Sequence, residues 1–320
     1  MLFKKILLKK YKSVLFSRKD PDTAVKQFDY SEFTGLKREE IPLESEHGKI
    51  NAQVYFYDGY DTGRLVIFEH GMGAGHRAYM REIEKICSLG FKVFAYDHIG
   101  TGFSGGEYVR GLSGSLCDLD FVIGEIKKIE QFKGLSLDLI GHSWGGFSSM
   151  SISQFHPEIE HIVALSGFIS VYDMIKQITP GLLRGLVDSI YAYEKTVNPK
   201  YATINALDVL ENTKSKILII HSKDDKTVNY DLHFSRLFDK FNSKPNITFV
   251  SLENKNHNPT YTASAVKYKE AFFASLKKYK KSRFPKNEET DTKFKNSFDF
   301  YKITEQDDEV YGIILDFLKS

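Results

Sequence analysis

The segment LSLDLIGHSWGGFSSMSISQF, residues 135–155, joins a strand pattern to a helix pattern through a tight turn. Its first six residues form an apolar run of the length of one buried strand. Gly141 and Gly145 stand two residues before and after Ser143. In such a cramped turn, a side chain at either glycine would collide with the neighbouring strand or helix. The segment therefore predicts a nucleophile elbow that lifts the Ser143 hydroxyl above the strand and frees the Trp144 amide to stabilise an oxyanion.

Apolar runs alternate with amphipathic stretches on both sides of this segment. Such alternation is typical of a mostly parallel sheet flanked by helices. It predicts strands at residues 51–57, 64–70, 91–97, 135–140, 161–165, 217–221 and 247–252. We expect the first of these to be the second arm of an antiparallel hairpin. Helices are predicted at residues 77–89, 116–132, 146–155 and 307–318.

The spacing of the strands divides the chain into parts. We expect residues 31–168 and 213–320 to form an α/β core. The connection at residues 169–212 is too long for a single crossover, and its apolar residues recur at helical spacing, which predicts an inserted helical cap. A Lys-, Phe- and Tyr-rich insertion, residues 261–302, precedes the last helix, and its pattern indicates no function.

Residues 1–30 form a basic N-terminal segment. Within residues 1–16, lysines interrupt the apolar run, which is unlike a secretory signal and resembles a short basic amphipathic helix. Such a helix either rests on an anionic membrane surface or packs on its own domain. No stretch of the sequence approaches the length of about 20 apolar residues that spans a bilayer.

The overall composition restricts the partners and the compartment. The formal net charge is +2, which gives no reason to expect nucleic acid as a partner. Two cysteines, Cys87 and Cys117, are too few for a disulfide framework, so we expect a cytoplasmic protein. Nothing in the composition predicts an oligomeric state.

A second glycine-rich turn, His70-Gly71-Met72-Gly73, follows the predicted strand at residues 64–70. An oxyanion hole needs a second backbone donor from a loop that comes close to the substrate, and Gly71 and Gly73 would permit that approach. We expect the Met72 amide to be this donor. His70 then has a structural role, fixing the loop through hydrogen bonds.

An acid and a base are expected after Ser143, in that order. Asp224 and Asp225 follow the strand at residues 217–221, and His257 follows the next strand. A neutral imidazole at 257 would take the Ser143 proton, and a carboxylate would orient that imidazole. The residues alone leave the choice between the two aspartates open. The remaining candidate histidines lie within predicted strands or a helix, where a structural role is expected: His161, His221 and His233.

Five motifs carry a resemblance to a known family: HGMGAGHRAYM (70–80), YDHIGTGFSGG (96–106), GHSWGG (141–146), IHSKDDKTV (220–228) and NHNP (256–259). Over roughly residues 40–260 and the closing helix, the chain resembles the serine-aminopeptidase-like branch of the α/β hydrolases, which includes monoacylglycerol lipases and lysophospholipase-like esterases. The resemblance implies an α/β-hydrolase fold with a small inserted helical cap. It also implies that Asp225 is the acid, because the S-x-x-D-x-x-V spacing around it matches that branch. Ser222 is a departure, since glycine is frequent there.

The resemblance further implies a carboxylic ester hydrolase that forms an acyl-enzyme on Ser143. A small-molecule acyl ester, such as a monoacylglycerol or a lysophospholipid, is the expected substrate. Two alternatives stay open: an aminopeptidase or amidase that uses the same residues, and a catalytically silent, membrane-associated binding protein. Dehalogenases and epoxide hydrolases of this fold carry aspartate where this chain has Ser143. We expect no metal and no cofactor, since metal-ligand spacing, a P-loop and a dinucleotide fingerprint are all missing from the sequence.

Overall fold

A computed structural model describes residues 2–59 and 62–320, with the backbone alone for residues 2–5 and 7. An eight-stranded sheet forms the centre of the molecule. Its strands are β1 Lys37–Ser45, β2 Gly48–Phe56, β3 Arg64–Glu69, β4 Lys92–Tyr96, β5 Ser136–His142, β6 His161–Leu165, β7 Lys216–Ser222 and β8 Ile247–Leu252. Their spatial order is β1-β2-β4-β3-β5-β6-β7-β8.

The sheet is antiparallel at one edge and parallel across the rest. β1 and β2 form an antiparallel hairpin, and β2 also runs antiparallel to β4. The pairs from β4 to β8 are parallel, and in the centre Leu139 of β5 lies beside Ile67 and Ile162. This arrangement confirms the predicted hairpin and the predicted mostly parallel sheet. The strands expected at residues 161–165 and 247–252 coincide with β6 and β8.

Two hydrophobic cores cover the two faces of the sheet. In β3, Leu65 and Ile67 belong to one core, whereas Val66 and Phe68 belong to the other. Successive strand residues point to opposite faces, so the two cores lie on opposite sides. Because both faces are buried, β3 and β6 are nearly continuous apolar runs instead of alternating ones.

Helices connect the strands and cover both faces. In chain order they are α1 Leu2–Leu15, α2 Met80–Ser88, α3 Gly114–Ile126, α4 Trp144–Ile152, α5 Val171–Ile178, α6 Val187–Val197, α7 Ala206–Asn212, α8 Arg236–Phe241, α9 Ala263–Lys281, α10 Glu288–Lys295, α11 Phe300–Ile303 and α12 Asp308–Leu318. Two predicted helices are shorter than expected. A 3₁₀ turn replaces the start of the helix at 77–89, and the helix at 116–132 ends at Ile126 and is followed by a separate 3₁₀ turn.

The connection between β6 and β7 is helical, as the spacing predicts. It contains α5, a 3₁₀ segment at Gly181–Leu186, α6 and α7. Tyr172 of α5 and Tyr191 of α6 pack edge to face with ring centroids 5.2 Å apart. Gln177 ties α5 to the loop after β7 by donating to the Thr227 carbonyl at 2.8 Å. The division of the chain into a core and a separate cap stays a prediction.

The N-terminal segment forms α1, which packs on α6. Tyr11 and Leu15 are buried, and the Tyr11 hydroxyl donates to Glu194 at 2.5 Å. Within the part of the chain that the structure describes, we find no helix of the length and apolar character needed to cross a bilayer. Cys87 and Cys117 are both free thiols.

The insertion at residues 261–302 is mostly helical and covers one face of the sheet. Phe272 of α9 is buried in the core that contains Val66 and Phe68. Its ring lies 5.0 Å from that of Phe298 and 5.2 Å from that of Phe300. The aromatic residues that make this segment unusual in sequence therefore have a packing role.

Candidate active site

Ser143 occupies a strained turn between β5 and α4. Its backbone has φ 58° and ψ −110°, in the region that L-residues rarely adopt, at a cost of about 1–3 kcal/mol. Hydrogen bonds on both sides hold the turn: the Ser143 amide donates to Leu165 at 2.8 Å, and its carbonyl accepts from Phe147 at 3.0 Å. The half-buried Ser143 side chain stands at the carboxyl end of β5, as the motif predicts.

The two glycines of the elbow are required by space. A Cβ atom at Gly141 would lie 2.1 Å from the Ser149 Oγ atom and 2.3 Å from the Gly145 carbonyl oxygen. A Cβ atom at Gly145 would lie 2.1 Å from the Glu69 carbonyl oxygen at the end of β3. These contacts leave no room for a side chain at either position.

Ser143, His257 and Asp225 form a hydrogen-bonded chain across three loops. The His257 Nε2 atom lies 2.8 Å from the Ser143 Oγ atom, and its Nδ1 atom lies 2.8 Å from Asp225 Oδ2. A carboxylate can only accept, so Nδ1 carries the ring proton and the Nε2 lone pair faces the serine. His257 is therefore oriented to accept the hydroxyl proton.

Asp225 is buried and surrounded by donors. Its Oδ1 atom accepts from the Thr227 and Val228 amides at 2.8 and 2.9 Å, and His221 lies 3.1 Å from Oδ2. Burial alone would raise the pKa of this carboxyl, but hydrogen bonds from His221, His257 and Val228 outweigh it and hold the pKa well below its usual range. Asp225 is thus a fixed anion beside His257.

Asp224, the competing aspartate, points elsewhere. It is exposed and hydrogen-bonds to the Ser222 hydroxyl and, at 3.3 Å, to the Asn256 amide. These bonds join the loop after β7 to the loop after β8. Asp224 therefore holds together the two loops that bring Asp225 and His257 into contact.

The loop after β3 lies beside the elbow. His70 is buried, and its Nδ1 atom donates to the Gly71 carbonyl at 2.7 Å while Nε2 accepts from the His98 amide at 3.2 Å. Burial lowers the pKa of His70 to about 3. Both ring nitrogens of His70 are thus engaged in holding the loop.

The two expected oxyanion donors come from separate elements. Trp144 begins α4, so its amide is among the first-turn groups that have no partner within a helix. Its indole Nε1 atom donates to the Leu112 carbonyl at 2.7 Å, which fixes the side chain away from the elbow. Met72 is half-buried in the loop after β3. Oxyanion binding by these two amides stays a prediction.

His142 has a role that the sequence motif does not reveal. Its Nε2 atom donates to the His257 carbonyl at 2.7 Å, and its Nδ1 atom accepts from the Tyr79 hydroxyl at 2.9 Å. The Tyr79 oxygen accepts in turn from the Gly71 amide at 3.2 Å. Burial, followed by the proximity of His257, lowers the pKa of His142 to about 3, so the ring is neutral. This path connects the loop after β3 with the backbone of His257.

A buried charged cluster lies behind Trp144. His98 contacts Glu69 and Asp118 at 3.2 Å each, and its ring centroid lies 4.7 Å from that of Trp144. Burial would lower the pKa of His98, but the nearby Glu69 and Asp118 carboxylates raise it to about 10. His98 is therefore a buried cation that supports the elbow from behind. The motif at residues 96–106 contains His98, but the sequence does not reveal its partners.

The three other candidate histidines, His161, His221 and His233, are engaged in contacts away from the Ser143 hydroxyl. His221 donates to the Val228 carbonyl at 2.9 Å, and His233 accepts from the Ile169 amide at 3.3 Å. His161 belongs to a cluster with Asp138 and Glu160 that offers metal-ligating atoms. The Arg64 guanidinium already lies 2.5 Å from Asp138 and 2.8 Å from Glu160, at the amino ends of the strands. An internal cation thus occupies that cluster, at the end of the sheet opposite Ser143.

The glycines of the two loops should differ in their tolerance of a side chain. A Cβ atom at Gly73 would meet only the Gly71 carbonyl oxygen, at 4.0 Å. Gly73 therefore has room for a side chain, unlike Gly145. We expect Gly145→Ala to lower the free energy of unfolding by about 3 kcal/mol through overpacking, and Gly73→Ala to change it by less than about 0.5 kcal/mol. Urea unfolding measures both. Equal destabilisation by the two substitutions would contradict the contacts described above.

Comparison with known proteins agrees with this architecture. The family model described as serine aminopeptidase, S33, matches residues 61–206. A monoglyceride lipase homolog of monkeypox virus is 33% identical over 95 residues, which is 30% of this chain and 34% of that protein. The match thus spans about a third of the length of that relative.

Solved structures share the fold at low sequence identity. An esterase of Pyrococcus furiosus aligns with a TM-score of 0.59 and 20% identity, covering 80% of this chain and 96% of that one. Est1E from Butyrivibrio proteoclasticus, solved with ferulic acid bound, aligns with a TM-score of 0.53 and 18% identity, covering 75% and 97%. The chain therefore has the α/β-hydrolase fold, and its residues 61–206 are similar to the serine aminopeptidase family.

Proposed function

We propose that this α/β hydrolase is a serine esterase that cleaves carboxylic esters through an acyl-enzyme on Ser143. The observation that carries the proposal is the continuous hydrogen-bonded path from Ser143 through His257 to Asp225, with both contacts at 2.8 Å. The three residues are distant in the chain: His257 is 114 residues from Ser143 and 32 residues from Asp225. Such convergence is the arrangement that activates a serine hydroxyl.

In the first half of the reaction, the Ser143 oxygen attacks the ester carbonyl carbon. His257 takes the hydroxyl proton at Nε2, and Asp225 stabilises the resulting imidazolium through Nδ1–H. The carbonyl oxygen becomes an oxyanion, to which the Met72 and Trp144 amides would donate. When the tetrahedral intermediate collapses, the C–O bond to the alcohol breaks and His257 returns its proton to the leaving oxygen.

In the second half, a water molecule replaces the alcohol. His257 takes a proton from the water as its oxygen attacks the acyl carbon. Collapse of the second intermediate releases the carboxylic acid and returns the proton to the Ser143 oxygen. The same imidazole therefore acts as base and then acid in each half.

The cap and the relatives favour an aliphatic acyl group. Met174 of α5 is apolar and half-buried, and each CH₂ of an acyl chain buried against an apolar surface contributes about 0.8 kcal/mol. The viral relative is described as a monoglyceride lipase homolog. A monoacylglycerol, a lysophospholipid or a similar acyl ester is the substrate class that we propose.

An aminopeptidase would use the same triad but needs a free carboxylate for the substrate ammonium. The acidic residues of α5 and α6 are already engaged: Asp173 pairs with Arg236 at 2.8 Å, Asp188 accepts from Tyr172, and Glu194 is buried. This engagement favours the esterase. The strained backbone of Ser143 in turn disfavours a silent binding protein, since a strained residue costs stability that an unused site has no reason to retain.

Covalent labelling combined with an ester series tests the proposal. We expect a fluorophosphonate probe to form one adduct, on the peptide that contains Ser143. We also expect hydrolysis of monoacylglycerols and of p-nitrophenyl esters longer than acetate. Turnover of aminoacyl amides without ester cleavage would support the peptidase, and cleavage of acetyl esters alone would contradict the aliphatic substrate. The absence of any adduct on the folded protein would contradict the nucleophile.

A further inference from the structure

An open apolar groove lies between α1 and the cap helices, outside the active site. Its volume is about 340 Å³. Ile6 and Val14 of α1 form one wall, and Ile178 and Leu183 of the cap contribute to the other. Among the described side chains that line it, Lys10 is the one that carries a charge. The groove is thus a mostly apolar surface with one basic residue, Lys10, in its lining.

The side chains around this groove are unusually exposed for their type. Ile6 is 56% exposed, Val14 is 51% exposed and Ile178 is 43% exposed. Leu182, which precedes Leu183 in the chain, is fully exposed. Single exposed apolar residues are common, but a contiguous exposed set marks a surface that is covered by something else.

Packing of α1 on its own domain does not account for these residues. That packing uses Tyr11 and Leu15, which are buried and also line the groove. The Tyr11 hydroxyl donates to Glu194, and the Lys12 ammonium lies 3.7 Å from the centre of the Tyr193 ring. Ile6 and Val14 therefore stay exposed after the helix has been fixed to α6.

The elements that form the groove carry exposed basic side chains. Lys10 lines the groove, and Lys9, Lys176 and Arg184 are exposed on α1, α5 and the 3₁₀ segment. None of them forms an ion pair with a residue that the structure describes. The formal net charge of the whole chain is only +2, so this concentration is local. An apolar surface bordered by basic side chains is complementary to an anionic lipid surface.

Hydrogen bonds connect this region to the elbow. Glu194, which anchors Tyr11, also accepts from the Leu112 amide at 3.0 Å. The Leu112 carbonyl accepts from the Trp144 indole at 2.7 Å. The groove and the turn that carries Ser143 are therefore parts of one connected unit, with a fixed relative orientation.

We propose that α1 and the cap helices dock on an anionic bilayer through this groove and its basic border. Ile6, Val14 and Leu182 enter the interfacial region, while the lysines contact lipid phosphates and carboxylates. Docking holds the elbow at a constant distance from the lipid. The proposal goes beyond the hydrolase activity and does not depend on it, because vesicle binding is measured without substrate.

Flotation of the full chain with vesicles tests the docking. We expect binding to vesicles of phosphatidylcholine with phosphatidylglycerol and much weaker binding to phosphatidylcholine alone. The double charge reversal Lys9→Glu/Lys10→Glu should lower the partition coefficient by about tenfold or more, since each basic residue near an anionic surface contributes to binding. Leu182→Ser, at a fully exposed position, should lower it without unfolding the protein.

Matched variants on the opposite face of the sheet provide the control. Lys277→Glu/Lys278→Glu makes the same charge change at exposed positions of α9, and Phe284→Ser removes another exposed apolar side chain. These variants should bind vesicles like the unmodified chain. An equal loss of vesicle binding in the groove variants and in the control variants would overturn the proposal. Equal binding to vesicles with and without phosphatidylglycerol would overturn it as well. A dimer in solution that Leu182→Ser dissociates would overturn it too, by assigning the groove to a second copy of the chain.

Discussion

Replacing Ser143 by alanine is expected to lower kcat for ester hydrolysis on the order of 10⁶-fold, the effect of removing the nucleophile from a serine hydrolase. KM should change little, because the hydroxyl contributes to bond making and not to binding of the acyl chain. The unfolding midpoint should stay close to that of the unmodified protein, since alanine carries the same backbone strain at φ 58° as serine does. Steady-state kinetics with a purified ester and thermal unfolding measure the two quantities.

Ser166 provides a matched control for this substitution. It also has a positive φ, 48°, and it follows β6 as Ser143 follows β5. Its buried hydroxyl has no hydrogen-bond partner within the described part of the chain. Ser166→Ala should therefore leave kcat within a few-fold of the starting value. A comparable loss of activity in both variants would indicate that the elbow region responds to packing and that Ser143 is not the nucleophile.

The fold could be predicted because its dominant signals are local. Parallel strands that are buried on both faces produce largely apolar runs, and for β6 the predicted bounds coincide with the observed ones. The bounds also coincide for β8, an edge strand that is partly exposed. Helix ends were less accurate. Apolar periodicity continues through Ile126, Ile129 and Phe132, but Ile129 has extended backbone angles, so hydrogen bonding stops where the pattern does not. The periodicity of apolar residues indicates which side of a helix is buried. It carries little information on the residue at which the helical hydrogen bonds end.

Among the residues of the candidate site, those in a local motif could be predicted, and those that depend on distant contacts could not. Ser143 and its glycines could be identified because the turn itself demands them. The residues alone left Asp224 and Asp225 open, since the difference between them is burial: one faces solvent and the other faces His257. The contact of His142 could not be found at all, because its partner is a backbone carbonyl 115 residues away. Sequence patterns specify side-chain types and carry no record of such backbone partners.

Replacing Asp225 by asparagine is expected to lower kcat by about 10⁴-fold, as in serine proteases whose triad aspartate is changed. The asparagine side chain can turn its NH₂ group toward Nδ1 of His257, which then must accept and leaves the proton on Nε2. In that tautomer Nε2 cannot take the Ser143 proton. The amide also removes the anion that stabilises the imidazolium. KM should change by less than kcat, which separates an effect on the transition state from an effect on substrate binding.

Asp224→Asn is the matched comparison, since it makes the same chemical change one residue away. Asparagine retains an oxygen that can accept from Ser222 and the Asn256 amide, so the loop contacts should persist. We expect kcat within about tenfold of the unmodified value and a small loss of stability. Thermal unfolding of both variants distinguishes a misfolded loop from a lost anion. If Asp224→Asn reduced kcat more than Asp225→Asn while both stayed folded, the acid would have to be reassigned, because the 2.8 Å contact at His257 would not be the one that matters in the transition state.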